Sequence, residues 1–385
     1  MRIALLLISW IFSLAAGAQT RWQQQVIKDL KPAIMARASW AVQQLPQTIT
    51  AFKCSRSAGG LHDFYSEGDY WWPDPANPEG PYIQRDGQSN PENFVAHREA
   101  MIRFSRIMGA LAAGYITSKD RTYLKAALRH VRAWFVDPAT RMNPSLLYAQ
   151  AIKGKATGRG IGIIDTIQLL EVVQALRIME KAGVIPPADL AAIRSWFELY
   201  LQWLTTHPYG KDEMNAANNH GTCWVMQVAE FATFARNDTL RQFCINRYKQ
   251  VLLPAQMAAD GSFPLELKRT KPYGYSLFNL DAMSTLCQIL STPKDNLWEY
   301  TANAQQNMQR GIAWMYPFVK DKNSWPYPHD VMYWDNWPVA QPFLLFGAAA
   351  FNRQDYYQLW RRLDHDPQVT EVLRNLPVRN PLIWL

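Results

Sequence analysis

The chain has 385 residues, of which 48% are hydrophobic and 19% charged, and its 40 Lys and Arg outnumber its 32 Asp and Glu by eight. This composition excludes a disordered or collagen-like chain, while the length allows two ordinary domains or one large closed architecture. Sixteen Trp, 17 Tyr and 16 Phe are more than a helical core needs. Trp and Tyr offer flat amphipathic faces, and such faces suit sugar rings.

The N-terminus has the pattern of a secretory signal peptide. Arg2 precedes an apolar run over 3–15, and the small residues of 16–18 lead into polar sequence. We therefore predict cleavage after Ala18 and a periplasmic or secreted mature chain. No later uncharged apolar stretch has membrane-spanning length, so no membrane association is predicted after cleavage.

Neither the cysteines nor the charge pattern indicates a metal or a nucleic acid. Cys54, Cys223, Cys244 and Cys287 lie far apart without a CxxC pair, so a metal cluster is unsupported and no disulfide is predicted. Lys and Arg are scattered instead of forming one run, which argues against nucleic acid. Charge, aromatic content and predicted export together favour a polyanionic carbohydrate partner.

Apolar residues recur at helical spacing through most of the chain after the leader. The run from Ile163 to Leu176, for example, advances in steps of three and four and ends before Gly183. Alternating strand patterns are scarce. Helical patterns are predicted over 21–45, 94–117, 121–135, 163–176, 188–204, 216–235, 238–252, 276–291, 296–316 and 339–351.

Consecutive helices joined by short Pro- or Gly-bearing turns pack as antiparallel pairs. Such pairs can close into an α/α toroid, which is an incomplete helical barrel, or stack into an open solenoid. Because the chain has no fixed sequence period, we predict an all-α toroid in one domain over 19–385. Two long segments, about 54–93 and 318–338, interrupt the helices and are predicted to be functional loops.

The first candidate site is the stretch 218–221, which directly precedes an apolar helix pattern. Asn commonly caps a helix, and a lone His is more often a core group than a catalyst. Asn218 and Asn219 beside His220 are nevertheless suited to catalysis. An amide donor near a substrate carboxylate stabilises the negative charge that develops on that carboxylate when the adjacent carbon loses a proton. Both interpretations stay open.

The second candidate site places Lys268, Arg269 and Lys271 beside Tyr273 and Tyr275. A solvated basic loop with two packing tyrosines is the ordinary interpretation of such a segment. Cations near a phenol also suit catalysis. A guanidinium lowers the pKa of a nearby phenol, which can then accept a proton and return it to a leaving oxygen.

Three further segments contain polar and aromatic clusters. The stretch 62–75 has several carboxylates, which suggest a glycosidase pair or solvated loop residues. Glycines in 158–165 imitate a phosphate loop but miss the GxGxxG spacing and follow no predicted strand. The stretch 325–337 is predicted to supply stacking aromatics.

Taken together, these segments resemble the alginate lyase superfamily of polysaccharide lyases, and most closely its branch of alginate and glucuronan lyases, families 5 and 38. The resemblance covers residues 60 to 340 approximately. Several motifs in the same order identify a family more specifically than any single motif does. It is carried by DFYSEGDYWWPDP, MNPSLLYAQ with GRGIGIIDT, NNHGTCW, DGSFPLELKRTKPYGYSLFNL and DVMYWDNWPVAQPFLLF. The resemblance implies a toroid that cleaves uronate polysaccharides by β-elimination without a metal or other cofactor.

The resemblance also implies roles for individual residues. Asn219 and Arg269 would hold the uronate carboxylate next to the scissile bond. Tyr275 would take the C5 proton and protonate O4, with His220 orienting or activating the phenol or acting as the base itself. Residues implied to bind flanking sugars are Tyr70, Trp71, Asn143, Gln150, Arg159 and His97.

The substrate and the identity of the tyrosine stay open at this point. In the mannuronate-specific lyases the tyrosine lies in a Tyr-His-Asn-Tyr sequence, whereas this chain has Tyr273-Gly274-Tyr275-Ser276. Tyr273 therefore competes with Tyr275, and the uronan could contain mannuronate, guluronate or glucuronate.

Two other functions also stay open. A glycoside hydrolase on the same fold would use a carboxylate pair, such as Asp69 and Asp165, and would release saturated products. A non-catalytic polysaccharide-binding protein would keep the aromatic residues and lose nothing on Tyr275→Phe.

Overall fold

The structure, a computed structural model, describes residues 2–385, with side chains from Arg21 onward. The predicted leader and its cleavage point after Ala18 lie outside the residues whose side chains are described, so both stay predictions. Within the described part, no helix is both long and apolar enough to cross a membrane.

The described chain is mainly helical, and the all-α prediction is confirmed. A 3₁₀ helix over Gly160–Gln168 leads directly into the fourth α-helix. The α-helices are α1 (Arg2–Val42), α2 (Ala96–Ser118), α3 (Thr122–Val131), α4 (Leu169–Lys181), α5 (Pro187–Thr206), α6 (Pro208–Met214), α7 (Asn219–Ala235), α8 (Asp238–Arg247), α9 (Leu253–Gln256), α10 (Pro264–Leu267), α11 (Pro272–Leu290), α12 (Met308–Lys320), α13 (Pro342–Phe351), α14 (Gln354–Arg362) and α15 (Thr370–Arg374).

One predicted helix starts in the wrong place. The pattern over 296–316 is helical only from Met308, because the Asn307 side chain accepts a hydrogen bond from the Arg310 N–H and caps α12 there. The preceding residues form turns closed by bridges between Thr292 and Asp295 and between 302 and 306. The short helices α6, α14 and α15 were not predicted, since helices of that length depend on tertiary packing.

The long helices form a closed ring. α1 packs on α2, contacts continue through α4, α7, α11 and α13, and α13 returns to α1. Connections of two to five residues join α2 to α3, α4 to α5 and α7 to α8, which makes each pair antiparallel. The predicted α/α toroid is confirmed, because an open solenoid would leave its first and last helices apart.

Two helices of this ring are buried along nearly their whole length. Every residue of α11 except Gln288 is buried, and α7 is buried apart from His220, Thr233 and Ala235. A helix that is surrounded by protein carries apolar residues on all its faces, as both do. Their N-terminal ends hold two of the sequence candidates, the stretch 218–221 and Tyr275.

Four short strands organise the irregular segments. β1 (Tyr65–Glu67) pairs in parallel with β4 (Tyr148–Ala151), and β2 (Trp71–Trp72) pairs antiparallel with β3 (Ile83–Gln84). The first pairing joins two candidate segments that lie about 80 positions apart in sequence. The strands therefore bring the loop residues to the ends of α7 and α11.

Candidate functional site

A cavity of about 90 Å³ lies at the N-terminal ends of α7 and α11. Eight of the ten predicted site residues line it: Tyr70, Trp71, Gln150, Arg159, Asn219, His220, Arg269 and Tyr275. Other lining residues are Asp69, Gln84, Asp86, Ile161, Ile164, Phe278, Arg374 and Asn375.

Two predicted sugar-binding residues do not reach this cavity. His97 is 5% exposed, its Nδ1 accepts a hydrogen bond from the Tyr65 N–H, and its Nε2 donates to the Phe52 carbonyl. Asn143 donates from Nδ2 to Asp63 Oδ1 at 2.7 Å. Both side chains hold protein loops together outside this cavity, so their predicted contact with flanking sugars stays a prediction.

Asn219 is the first residue of α7 and is anchored by a carboxylate. Its backbone N–H and its Nδ2 donate to the two oxygens of Glu266, each at 2.8 Å. Burial raises the pKa of Glu266, and the two hydrogen bonds from Asn219 oppose that rise. The amide is thereby fixed at the cavity wall, where the positive end of the helix dipole also favours an anion.

His220 follows on α7 and is oriented by a second buried carboxylate. Its Nδ1 lies 2.7 Å from Oε1 of Glu213, whose side chain is 1% exposed. A carboxylate only accepts hydrogen bonds, so Nδ1 carries the proton and Nε2 of the neutral ring keeps its lone pair. The imidazole therefore offers the cavity a proton acceptor.

Tyr275 lies in the first turn of α11 with cations on its ring. Its hydroxyl is 2.9 Å from the Tyr70 hydroxyl, and the Arg269 guanidinium lies 4.6 Å from its ring centroid. Burial raises the pKa of Tyr275 well above its usual value, Tyr70 adds to the rise, and Arg269 opposes it. The predicted lowering of this pKa is wrong, because burial outweighs the guanidinium.

Tyr273 faces away from the cavity. Its side chain is fully buried, its hydroxyl donates to the Phe318 carbonyl, and its ring packs against Trp325 and Trp334. The 325–337 segment was predicted to supply stacking aromatics, and these two pack on Tyr273. From the same segment, Asp330 accepts the N–H groups of Tyr273 and Gly274 and so caps α11.

The two cavity arginines predicted from sequence have different partners. Arg269 forms a two-pronged ion pair with Asp86, through Nη2 at 2.8 Å and Nε at 3.3 Å. Arg159 donates to the backbone and side-chain oxygens of Gln150 and lies over the Trp71 ring. No acidic side chain within residues 21–385 forms an ion pair with Arg159. It is therefore the cation more available to an incoming anion.

The close approach of Arg159 and Trp71 depends on Gly68. A Cβ atom added at Gly68 would lie 2.7 Å from Arg159 Nη2 and 2.7 Å from Trp71 Cδ1. Gln150, which holds the guanidinium, has a φ of 49°, a conformation that is uncommon for a residue with a side chain. Backbone strain of this kind often accompanies functional sites.

The carboxylate pair of the hydrolase alternative belongs to a buried ion network. Asp69 binds Arg98 through both oxygens, at 2.6 and 2.8 Å, and lies 2.9 Å from Arg374. These cations hold the pKa of Asp69 at about 2 despite burial. Asp165 accepts from Ser66 and has a fully buried side chain. A general acid needs a raised pKa, so Asp69 does not fit the acid of a glycosidase pair.

Sequence reasoning missed four charged residues of the site. Asp86 lies in the long segment 54–93, and Glu266 lies within a quoted motif. The sequence pattern did not indicate a role in the site for either residue. Glu213 and Arg374 lie outside every candidate segment. Only the tertiary contacts with His220 and Asp69 identify them. No group of three or more possible metal ligands occurs in the part of the chain with described side chains.

Comparisons with known proteins show the family and the fold of this chain. A family model described as alginate lyase matches residues 48–325. A crystal structure of an alginate lyase from Bacteroides ovatus has a TM-score of 0.81 and 29% identity, covering 96% of this chain and 97% of that one. The comparison with curated proteins gave no match.

Two more distant structures share the fold. A variant of alginate lyase A1-III complexed with tetrasaccharide has a TM-score of 0.58 and 14% identity, covering 86% of this chain and 89% of that one. Alginate lyase A1-III from Sphingomonas species A1 has a TM-score of 0.54 and 14% identity, covering 86% and 90%.

Proposed function

The chain belongs to the alginate lyase family and is a polysaccharide lyase, and we propose that Tyr275 is the residue that moves the proton during its β-elimination. One observation carries this proposal. The Tyr275 hydroxyl lines the cavity beneath the Arg269 guanidinium, at the helix ends that also carry Asn219 and His220. The substrate is an anionic uronate polysaccharide, built from mannuronate or glucuronate.

The uronate carboxylate needs donors that stabilise it as C5 loses its proton. Arg159 and the Asn219 amide are suited to this task, because the former has no acidic partner among the described side chains and the latter is fixed at a helix N-terminus. Because Arg269 forms an ion pair with Asp86, we propose that it mainly stabilises the phenolate of Tyr275 and contributes less to binding the substrate carboxylate.

The raised pKa of Tyr275 means that the free protein holds a neutral phenol, which must lose its proton before it can act as a base. A substrate that separates Tyr70 from Tyr275 removes one cause of that rise. In the tautomer that Glu213 holds, the lone pair of the neutral His220 ring lies on Nε2, which can accept the phenolic proton in the same cavity. Arg269 then stabilises the phenolate.

The proposed substrate class follows from the stereochemistry of elimination. In β-linked mannuronate or glucuronate, the C5 hydrogen and the O4 leaving group lie on the same side of the ring. One residue can therefore remove the C5 proton and then protonate O4, and Tyr275 is suited to both steps. Guluronate would require two groups on opposite sides, with His220 as the base.

A polymer must widen the cavity to bind. Its volume of about 90 Å³ is below the range of about 300–1,000 Å³ typical of small-ligand pockets. The Tyr70–Tyr275 hydrogen bond joins the two sides of this space, so it must open when a sugar enters. Trp71 and Gln150 would then contact the flanking sugars.

The decisive experiment follows ultraviolet absorbance of the 4,5-unsaturated uronate with polymannuronate, polyguluronate and glucuronan separately, using residues 19–385. We expect absorbance to rise on polymannuronate or glucuronan and to be lost in Tyr275→Phe, while His220→Ala retains the fold and loses most of the rate. Cleavage that persists in Tyr275→Phe would refute the proposal. Processing after Ala18 and export are tested by N-terminal sequencing of the secreted or periplasmic protein.

A further inference from the structure

A second cavity lies between α1, α2 and the C-terminal segment, and its lining residues are all different from those of the first. Its volume is about 340 Å³, within the range of about 300–1,000 Å³ typical of small-ligand pockets. The proposed cleavage chemistry leaves this space unexplained.

Three arginines from separate elements line this second cavity. Arg37 comes from α1, Arg106 from α2 and Arg379 from the chain after α15. The acidic residue of the lining, Asp366, has a half-exposed side chain and lies 3.4 Å from Arg106. Burial lowers the pKa of the nearby His365 to about 4, so that ring is neutral at pH 7. The lining therefore keeps an excess of positive charge.

Arg379 is held in the wall of this cavity by hydrogen bonds from one of its nitrogens. Its Nη1 donates to Gln168 Oε1 and to the carbonyls of Leu373 and Leu376. Its Nε and Nη2 are buried and have no hydrogen-bond partner among the described residues. The buried carboxylate of Glu171 accepts the backbone N–H groups of Arg379 and Asn380 instead. The Nε and Nη2 nitrogens present almost no accessible surface, so Arg379 contributes a fixed positive charge to the cavity wall, and Arg37 and Arg106 are the arginines that would donate to a ligand.

An aromatic ring adjoins the three arginines. Trp40 lines the cavity and is 39% exposed, and the Arg106 guanidinium lies 5.6 Å from its ring centroid. A simple inorganic anion would need the guanidinium groups alone. An exposed indole beside them suits a ligand that combines a carboxylate with the apolar face of a sugar ring.

We propose that this second cavity binds the carboxylate of a uronate sugar, as a non-catalytic site separate from the cleavage cavity. The site itself rests on the cavity, its three arginines and Trp40. Only the choice of uronate over another sugar acid rests on the proposed function. Occupation of this site would tether a polymer on the enzyme away from its scissile bond.

The test is calorimetric titration of the Tyr275→Phe protein with a mannuronate tetramer, which this variant does not cleave. Two binding events are expected. Arg37→Gln with Arg106→Gln should weaken one of them about tenfold or more, as expected for the loss of charge-assisted hydrogen bonds. Arg159→Gln should weaken the other. Arg21→Gln is the control for the Arg37→Gln part of this variant, because it removes one arginine charge from α1 about 24 Å away and should change neither event.

Several results would overturn the inference. A single binding event that is insensitive to Arg37 and Arg106 would show that the second cavity does not bind the uronate. If neutral mannotetraose bound with equal affinity, the carboxylate would have no part in recognition. Inorganic phosphate that competes as well as the uronate would leave only a general anion site. If the arginine variants unfold early, Trp40→Ala on the exposed ring provides the same test, and no weakening there refutes sugar recognition. Cleavage of the tetramer by Tyr275→Phe would appear as unsaturated product and would refute only the assignment of Tyr275, whereas the sensitivity of one binding event to Arg37 and Arg106 tests only the second cavity, so the two proposals fail separately.

Discussion

The hydroxyl groups of Tyr70 and Tyr275 lie 2.9 Å apart, although 205 positions separate the two residues in sequence. This hydrogen bond joins the loop just before β2 to the first turn of α11. The Tyr70 hydroxyl is thereby hydrogen-bonded to the Tyr275 hydroxyl, which is proposed to move the proton. This contact contributes to the raised pKa of Tyr275.

Tyr275→Phe should lower kcat by about 10²–10⁴-fold, the usual contribution of general acid–base catalysis. Unsaturated product measured by absorbance provides the rate, and the unfolding free energy should change by no more than about 1.5 kcal/mol. Tyr273→Phe is the matched control, because its hydroxyl donates to the Phe318 carbonyl outside the cavity. Equal losses in the two variants would contradict the assignment.

Tyr70→Phe should shift the alkaline dependence of kcat/KM to lower pH. A phenolate base is active when deprotonated, so activity rises as pH passes through the pKa of Tyr275. Removing Tyr70 removes a cause of the raised pKa, and the midpoint of the rise must fall. The kcat/KM profile checks this because it reports the free enzyme. Tyr82→Phe, outside the cavity, should leave the midpoint unchanged, and an upward shift in Tyr70→Phe would refute the argument.

Glu213→Gln should lower kcat about 10- to 100-fold with little change in KM. The amide can donate to Nδ1 as well as accept from it, so the His220 ring loses its fixed tautomer. Steady-state kinetics on the uronan measures the effect. Glu180→Gln, which removes a carboxylate that pairs with Arg194 and Arg236, should stay within about twofold of wild type. A similar loss in both variants would indicate a general effect of charge.

Arg159→Gln should raise KM about tenfold or more and also lower kcat about tenfold, because Arg159 is assigned to the substrate carboxylate both on binding and as C5 loses its proton. Loss of uniform binding appears in KM. Arg132→Gln, in an ion pair with Asp189 and half exposed, is the control for lost charge. If kcat fell while KM stayed constant, Arg159 would act by stabilising the transition state and not by binding the substrate.

Asp69→Asn should destabilise the protein by about 3–5 kcal/mol, because Arg98 and Arg374 would stay buried beside a neutral group. The pKa of Asp69 is about 2 in the folded protein and 3.8 ordinarily. Its stabilisation is thus complete above about pH 4 and is lost as pH falls toward 2. Urea unfolding from pH 5 down to pH 2.5 should show this slope in wild type and a smaller slope in the variant. Asp189→Asn is the control, because it removes the carboxylate from the surface ion pair between Arg132 and Asp189.

The sequence alone determined the fold class and the helix ends that carry the site. Helical spacing, caps and turns act over a few residues, so the starts of α7 and α11, where Asn219, His220 and Tyr275 lie, were predicted to within about four residues. The ordered motifs predicted the family for the same reason, since each motif is a local pattern.

The tertiary structure decided which of these residues act together. Tyr273 and Tyr275 are two positions apart on one helix and so point about 200° apart, and only the packing of α11 shows that Tyr275 faces the cavity. Glu213, Asp86 and Arg374 were not predicted, because their roles depend on partners distant in sequence. The pKa of Tyr275 was predicted in the wrong direction, since sequence shows the neighbouring charge while only the folded chain shows the burial that outweighs it.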